Sequence, residues 1–71
     1  MRLMNMNRDK ISERMRSLRK EKKLTQKELA EKLYVTPSTV SKWENGVAVP
    51  DIYAVTSMAD VFGVPVTELL G

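Results

Sequence analysis

The sequence predicts an all-α domain of five short helices, and three observations lead to that prediction. Apolar residues recur at helical spacing, helix-start signals appear several times along the chain, and glycines follow predicted helix ends. No segment shows the alternation of apolar and polar residues that indicates a strand. With 71 residues, the chain is long enough for one small domain with a single core.

The first predicted helix follows from one apolar stripe. Three apolar residues recur at i, i+4 and i+7, which places them on one helix face: Ile11, Met15 and Leu18. The stripe predicts a helix over about residues 9–22. We expect residues 1–8, which precede it, to form a flexible N-terminal arm, and residues 9–71 to form the domain.

The second helix has a complete start signal. The hydroxyl of Thr25 can accept a hydrogen bond from the amide of Glu28 while the Glu28 side chain reaches back to the Thr25 amide. Leu24, just before this capping box, can pack against Leu29. The second helix is therefore predicted to start after Thr25 and to end near Leu33.

A similar start signal begins two residues after the predicted end of the second helix and predicts a third helix. Val35, Thr36 and Pro37 supply an apolar residue, a capping hydroxyl and a proline at the first helical position. Asn45 and Gly46 are predicted to end this helix, because glycine readily adopts the left-handed conformation of a helix terminus.

Two further helices complete the prediction. Asp51 is expected to cap the fourth helix, and Gly63 is expected to stop it. The predicted core face of this helix comprises Ile52, Val55, Met58, Ala59 and Phe62. Residues 65–70 are predicted to form a short final helix.

Composition excludes several classes of function. The chain has no Cys and no His, which excludes disulfides, the usual zinc ligand sets and Cys or His nucleophiles. We therefore expect neither an enzyme nor a metal site, and no cofactor or small-molecule ligand. No run of about 18 apolar residues and no signal-peptide pattern occurs, so we expect a cytoplasmic domain and no membrane partner.

Charge is distributed unevenly along the chain. Residues 1–23 carry nine basic and three acidic side chains, a net of +6, whereas residues 43–71 carry four acidic side chains and no basic one. The whole chain has a net charge of +3. The basic end can face an anion while the acidic end faces something else, although such a run can also be a solvated surface.

A helix, a three-residue turn and a short polar helix form the arrangement that reads DNA. Four stretches of this chain resemble the Cro/lambda-repressor type of helix-turn-helix domain, the xenobiotic-response-element family: ISERMRSLR (Ile11–Arg19), LTQKELAEKL (Leu24–Leu33), VTPSTVSKWENG (Val35–Gly46) and FGVPVTELL (Phe62–Leu70). The resemblance implies a compact five-helix, lambda-repressor-like DNA-binding domain with its motif at about residues 26–45. Tyr34 stands where the family usually has glycine, at a position that tends to need a positive φ.

The resemblance also implies a function. It indicates a sequence-specific regulator of transcription that binds double-stranded DNA, a repressor of the phage or mobile-element type in a prokaryote or phage. Residues 36–45 would read the major groove. The alternative is an antitoxin or another protein-interaction module with the same fold, whose affinity for random duplex would not fall steeply with salt.

The spacing within the third helix supports a DNA-reading face. At about 100° per residue, Val40 and Trp43 point toward the core. The opposite direction is occupied by Ser38 and Asn45, and these are flanked by Ser41 and Lys42. None of the four is acidic, so this face would not repel phosphate, and its side chains can bond to base edges.

Individual roles follow from the resemblance. Base contacts are implied for Thr36, Pro37, Ser38, Thr39 and Lys42. Phosphate contacts are implied for Arg19, Gln26, Ser41 and Asn45. Arg19 would in addition form a structural ion pair with Glu44. Pro37 offers no polar group, so it could make only an apolar contact, for example with a thymine methyl.

Surplus apolar residues near the acidic end predict a homodimer on a palindromic operator. Tyr53 and Val61 lie off the predicted core face of the fourth helix, and the final helix is too short to bury Val66, Leu69 and Leu70. The two reading helices of such a dimer would lie about 34 Å apart. A monomer with scattered apolar surface residues is the alternative.

Overall fold

Five α-helices follow one another in the computed structural model, which describes the backbone of residues 6–71 and the side chains of residues 10–71. Their bounds are α1 Met6–Glu21, α2 Gln26–Leu33, α3 Pro37–Glu44, α4 Ile52–Phe62 and α5 Thr67–Leu70. Residues 6–71 contain no strand. The prediction of an all-α fold with five helices is confirmed.

The first and last helices differ from their predicted bounds. Helix α1 begins at Met6, so residues 6–8, which are predicted to belong to the arm, form its first turn. The rest of the predicted arm, residues 1–5, lies outside the described part of the chain. An apolar stripe marks only the turns that face the core, and the first turn of α1 lies before the stripe. Helix α5 begins at Thr67, two residues later than predicted.

Side-chain caps start three of the helices as the sequence predicts. The Thr25 hydroxyl accepts a hydrogen bond from the Glu28 amide at 3.0 Å, and the Glu28 carboxylate accepts one from the Thr25 amide at 2.9 Å. Thr36 and Asp51 cap α3 and α4 by accepting from the amide three residues later. These local bonds fix where α2, α3 and α4 begin.

Two non-glycine residues adopt the left-handed conformation, one at each end of α2. Tyr34, in the turn between α2 and α3, has φ 60° and ψ 40°, so the positive φ implied for this position is present. Lys23, in the turn between α1 and α2, has φ 59°, and no residue pattern around it predicts this conformation. A side chain with a Cβ is strained in this conformation.

The core lies between all five helices. Its buried apolar side chains are Ile11, Met15, Leu29, Ala30, Val40, Trp43, Val55, Met58, Ala59, Phe62 and Leu69. Helix α1 packs against α3, α4 and α5, and α2 packs against α3 and α4. The motif formed by α2 and α3 is therefore held against a support made by the other three helices.

Two predictions about apolar residues are wrong. Ile52, expected on the core face of α4, is 57% exposed, because it is the first residue of that helix and lies at the edge of its buried stripe. Leu69, expected in a dimer interface, is fully buried within the protomer. Helix α5 packs against α1 and α4, and this packing covers Leu69.

No helix within residues 6–71 combines the length and the apolar character that crossing a membrane requires.

Candidate nucleic-acid interface

Helix α3 is anchored on one side and open on the other. Val40 and Trp43 are buried in the core, at 0% and 8% exposure. On the opposite side, Ser38, Lys42 and Asn45 are exposed, and Ser41 is half-buried beside them. We call these four residues the polar face of α3. The arrangement leaves hydroxyl, amide and ammonium groups directed away from the core.

The first turn of α3 continues this surface. Thr36 and Pro37 are exposed and Thr39 is half-buried. The hydroxyl oxygens of Thr36 and Thr39 lie 2.9 Å apart, and the Thr36 hydroxyl also accepts from the Thr39 amide at 3.2 Å. Whichever hydroxyl accepts in the first of these bonds keeps its own hydrogen for another partner. Both threonines thus serve the cap, and one can donate outward.

The only acidic residue of α3 is withdrawn from the surface. Glu44 is 2% exposed. Its Oε2 accepts from Arg19 Nε at 2.7 Å, and its Oε1 accepts from Arg19 Nη2 at 3.1 Å, so the implied ion pair is present in bidentate form. Gln26 Nε2 donates to Glu44 Oε1 at 3.0 Å. Because Glu44 is buried and paired, the exposed surface of α3 carries no acid.

The position of Arg19 favours its structural role over the implied phosphate contact. Its side chain is 12% exposed. Besides the two bonds to Glu44, Arg19 Nη1 donates to the carbonyl oxygen of Leu24 at 2.8 Å, in the turn before α2. Three of its five N–H groups are thus occupied by the protein. Arg19 joins α1 to the start of α2 and to the end of α3.

Gln26 lies at the first residue of α2, where helix amides and the helix dipole favour an anion. One hydrogen of its Nε2 bonds to Glu44, so the side chain is held in place while its second hydrogen is available to an acceptor. Exposed cations surround this helix start: Lys20, Lys22, Lys23 and Lys27. At the other end of the motif, Asn45 Nδ2 donates to Ser41 Oγ at 3.3 Å, which ties these two residues together.

Two residues of α1 that sequence reasoning missed hold the end of α3. The Ser12 hydroxyl donates to the carbonyl oxygen of Trp43 at 2.8 Å. Arg16 Nη2 donates to the carbonyl oxygen of Glu44 at 2.6 Å. These bonds span 31 and 28 residues along the chain. No local residue spacing predicts a hydrogen bond from a side chain of α1 to a backbone carbonyl of α3. Only the packing of α1 against α3 brings these groups together.

The residues predicted for a dimer interface do not share one environment. Tyr53 and Leu70 are 80% and 44% exposed, whereas Val61 and Val66 are half-buried and pack against the core. Leu69, as noted above, is fully buried. Two of the five residues therefore present substantial apolar surface to solvent.

Solved structures with this fold include several regulators. The SOS-response transcriptional repressor LexA from Eubacterium rectale is 29% identical with a TM-score of 0.87, and the alignment covers 93% of this chain and 70% of that one. The clp gene regulator ClgR from Corynebacterium glutamicum is 30% identical with a TM-score of 0.84, over 89% and 67% of the two chains. The same fold occurs in hydroxypropylphosphonic acid epoxidase from S. wedmorenis, with 28% identity and a TM-score of 0.81. There the match covers 89% of this chain and only 34% of the epoxidase chain.

Similar sequences and a family model identify the chain. The HTH-type transcriptional activator BcrR of Enterococcus faecalis is 40% identical over 60 residues, which are 84% of this chain and 29% of BcrR. The cryptic phage CTXphi transcriptional repressor RstR of Vibrio cholerae is 36% identical over 60 residues, which are 84% of this chain and 54% of RstR. The match thus spans less than a third of BcrR and about half of RstR. A family model described as helix-turn-helix matches residues 15–69. The chain belongs to the helix-turn-helix family of the xenobiotic-response-element type.

Proposed function

We propose that this domain binds double-stranded DNA sequence-specifically and regulates transcription, with α3 as the helix that reads the major groove. The observation that carries the proposal is the polar face of α3, which is exposed and free of acidic side chains because Glu44 is buried against Arg19. With eight residues, α3 is about 12 Å long, close to the width of the major groove.

The side chains on α3 have the chemistry that base edges require. Lys42 is exposed and can donate to O6 and N7 of a guanine. Ser38 and the hydroxyl of Thr36 or Thr39 can donate or accept, and Pro37 can contact a thymine methyl group. We assign sequence readout to these residues, with Lys42 as the strongest contributor.

Phosphate contacts would position the domain on the duplex. We assign them to Gln26 at the start of α2 and to Ser41 and Asn45 toward the end of α3. The Gln26 amide is already oriented by Glu44, so little side-chain entropy would be lost when its second hydrogen bonds to phosphate. Arg19 is not included, because its guanidinium group is largely buried. Such contacts act on every duplex alike.

We propose further that the domain represses transcription by occupying its operator. A repressor needs only to block access to DNA, which a small domain with one exposed reading helix can do. The similarity to a repressor encoded by a cryptic phage supports this direction of control and a phage or mobile-element origin. Because BcrR is an activator, activation is the alternative against which repression must be tested. Transcription in vitro from a promoter that overlaps the selected operator should fall when the protein is added; a rise would contradict repression.

We propose that the protein acts as a symmetric homodimer on a palindromic operator. Three or four base-reading side chains give one domain limited discrimination, and two copies double the number of bases read. The exposed apolar surface of Tyr53 and Leu70 supports this assembly. Leu69 is left out of the interface because it is buried in the protomer.

Selection of bound duplexes from a random pool tests the proposed function. We expect enrichment of one sequence with two-fold symmetry and half-sites about one helical turn apart. Affinity for random duplex should fall steeply as salt rises, since phosphate contacts release counterions. A protein that enriches no sequence, and whose weak DNA affinity is insensitive to salt, would instead be a protein-interaction module, as an antitoxin is.

A further inference from the structure

We propose that Ser12 and Arg16 are positioning residues that set the angle of the reading helix α3 without touching DNA. The proposal rests on the proposed DNA-reading role of α3. Both residues lie on α1, one helical turn apart, and both donate to backbone carbonyls at the end of α3, to Trp43 and to Glu44. Together they attach the last turn of α3 to α1 at two adjacent points.

The end of a helix is where such attachment is effective. The last carbonyls of a helix have no partner within it, and they carry the negative end of the helix dipole. In α3, the carbonyl of Lys42 accepts from the amides of Val47 and Ala48, at 2.9 and 3.2 Å. The Trp43 carbonyl accepts from the Gly46 amide at 3.2 Å and from Ser12. The Glu44 carbonyl accepts from Arg16, whose positive charge suits this end of the helix.

A short helix depends on such contacts for its orientation. Helix α3 has eight residues, too few to be stable alone, so its direction is set by what it packs against. Val40 and Trp43 hold α3 against the core by apolar packing. Such packing is not directional, so it opposes the removal of α3 from the core more strongly than it opposes a rotation of α3 on the core surface. Two directional hydrogen bonds at one end oppose that rotation. Base readout needs this precision, because donors and acceptors must meet base edges within hydrogen-bonding distance.

Burial separates this role from direct DNA contact. Ser12 is 8% exposed and its hydroxyl is directed at Trp43, so Ser12 is not placed to contact DNA. The Arg16 side chain is 43% exposed, so a phosphate contact is the competing role for this residue. Removing Arg16 would not isolate Glu44, because the carboxylate keeps its bidentate bond to Arg19. The fold is therefore expected to survive both substitutions.

The test compares affinity for the selected operator with affinity for random duplex in wild-type protein, Ser12→Ala and Arg16→Met. We expect operator affinity to fall roughly two- to tenfold for Ser12→Ala and roughly three- to thirtyfold for Arg16→Met, from the usual strength of neutral and charged hydrogen bonds. Random-duplex affinity should fall by a smaller factor, because only the phosphate contacts assigned to Ser41 and Asn45 lie on α3, and its salt dependence should remain that of the wild type. The emission of Trp43, the single tryptophan, should shift in both variants without DNA.

Matched controls lie on the same helix. Arg14 donates to the carbonyl of Glu68 in α5 at 3.1 Å, so Arg14→Met removes the same charge from α1 without touching α3. Ser17 is exposed on α1, so Ser17→Ala makes the same chemical change as Ser12→Ala at a position on the surface of the helix. Both controls should keep the wild-type ratio of operator to random-duplex affinity.

Three outcomes would overturn the proposal. Equal losses on all duplexes with a smaller salt slope would make Arg16 a phosphate contact. Equal losses with an unchanged slope and reduced thermal stability would make both residues purely structural, since a smaller folded fraction lowers every affinity alike. Unchanged operator affinity in both variants would show that the bonds do not orient α3. If the wild-type protein itself preferred no duplex, the proposed DNA-binding function would be wrong. The wild-type measurement thus distinguishes failure of the proposed function from failure of the positioning role of Ser12 and Arg16.

Discussion

In the proposed interface, Lys42 is the residue on which sequence readout depends most directly. It is exposed in the last turn of α3, on the side opposite Val40 and Trp43, and it is the only charged side chain on the polar face. A lysine there can add either a base contact, which depends on sequence, or a phosphate contact, which does not.

Substitution of Lys42 distinguishes these two contacts. Lys42→Ala should cost about 1–3 kcal/mol on the selected operator and relax the preference at one base pair per half-site, because the lost donor pairs with one guanine. Competition binding with single-base variants of the operator measures both effects. Lys32→Ala, in the last turn of α2, removes the same charge from an exposed position that has no assigned role. An equal loss on every duplex would make Lys42 a phosphate contact.

The backbone of Tyr34 is strained, and the exposed side chain does little to offset that strain. Its backbone is left-handed, which costs a residue with a Cβ roughly 1–2 kcal/mol, and its side chain is 95% exposed. Burial of the ring therefore returns little of that cost. The neighbouring fold imposes the conformation, because the Val35 amide donates to the Ala30 carbonyl at 3.0 Å across the turn.

Two substitutions separate strain from side-chain packing at this position. Tyr34→Gly should change the free energy of unfolding by less than about 1 kcal/mol, because relief of strain and the added entropy of the unfolded chain oppose each other. Tyr34→Ala keeps the strained Cβ, so it should be less stable than Tyr34→Gly. Urea unfolding followed by circular dichroism measures both. A loss well above 1 kcal/mol in the glycine variant would contradict this account.

The helix starts are the elements that the sequence specifies best. A capping side chain bonds to an amide three residues away, so Thr25, Thr36 and Asp51 announce α2, α3 and α4 through a fixed local spacing. The cap of α2 is the cleanest one to test, because Thr25 has no proposed contact with DNA.

Removal of the α2 cap should weaken the whole domain. Thr25→Ala should lower the free energy of unfolding by about 1 kcal/mol, since the Glu28 amide loses the hydroxyl that accepts its hydrogen bond, while the bond from the Thr25 backbone amide to the Glu28 carboxylate can still form. Thr25→Ser keeps the hydroxyl and should stay close to the wild type in the same urea titration. Thr56→Ala, in the interior of α4, is the control: its exposed hydroxyl bonds only to the Ile52 carbonyl, and alanine favours a helix. A Thr25→Ala variant as stable as this control would show that the capping box contributes nothing.

Contacts between elements mark the limit of what the sequence predicts. The resemblance to a known family predicts the ion pair between Arg19 and Glu44. It also predicts the left-handed backbone of Tyr34, because that family usually has glycine at this position. The bonds from Ser12 and Arg16 to α3 had no such signal, because donor and acceptor lie about 30 residues apart and one partner is a backbone carbonyl. The burial of Leu69 was missed for a related reason. A helix of four residues has too few positions for an apolar period to indicate which side faces the core.

At the scale of the whole molecule, charge is divided along the sequence into a basic first part and an acidic last part. The basic side chains gather in α1 and around the start of α2, whereas residues 43–71 carry acids alone among their charged groups. Tyr53 and Leu70 lie in this acidic part of the sequence, and in the proposed dimer they would face a second copy of the chain.

The oligomeric state tests this division. Tyr53→Asp and Leu70→Asp should each shift the sedimentation equilibrium toward the monomer mass and weaken binding to a full palindrome more than to an isolated half-site. An aspartate in the interface would be buried beside apolar side chains without a partner. Tyr34→Asp places the same change at an exposed tyrosine outside the proposed interface, and it should keep the wild-type mass. The proposed interface is wrong if both variants keep the wild-type mass and the wild-type affinity for the palindrome.

The carboxylate of Glu44 determines which part of this protein can be exchanged with related helix-turn-helix domains. Helix α3 carries the residues assigned to readout, yet it also carries an acid whose partners are Arg19 of α1 and Gln26 of α2. Transplanting α3 alone would bring a buried charge into a scaffold without those donors. We therefore expect the proposed specificity to move between proteins as residues 12–46 taken together, or as α3 alone into recipients that present an arginine and a glutamine at the positions of Arg19 and Gln26.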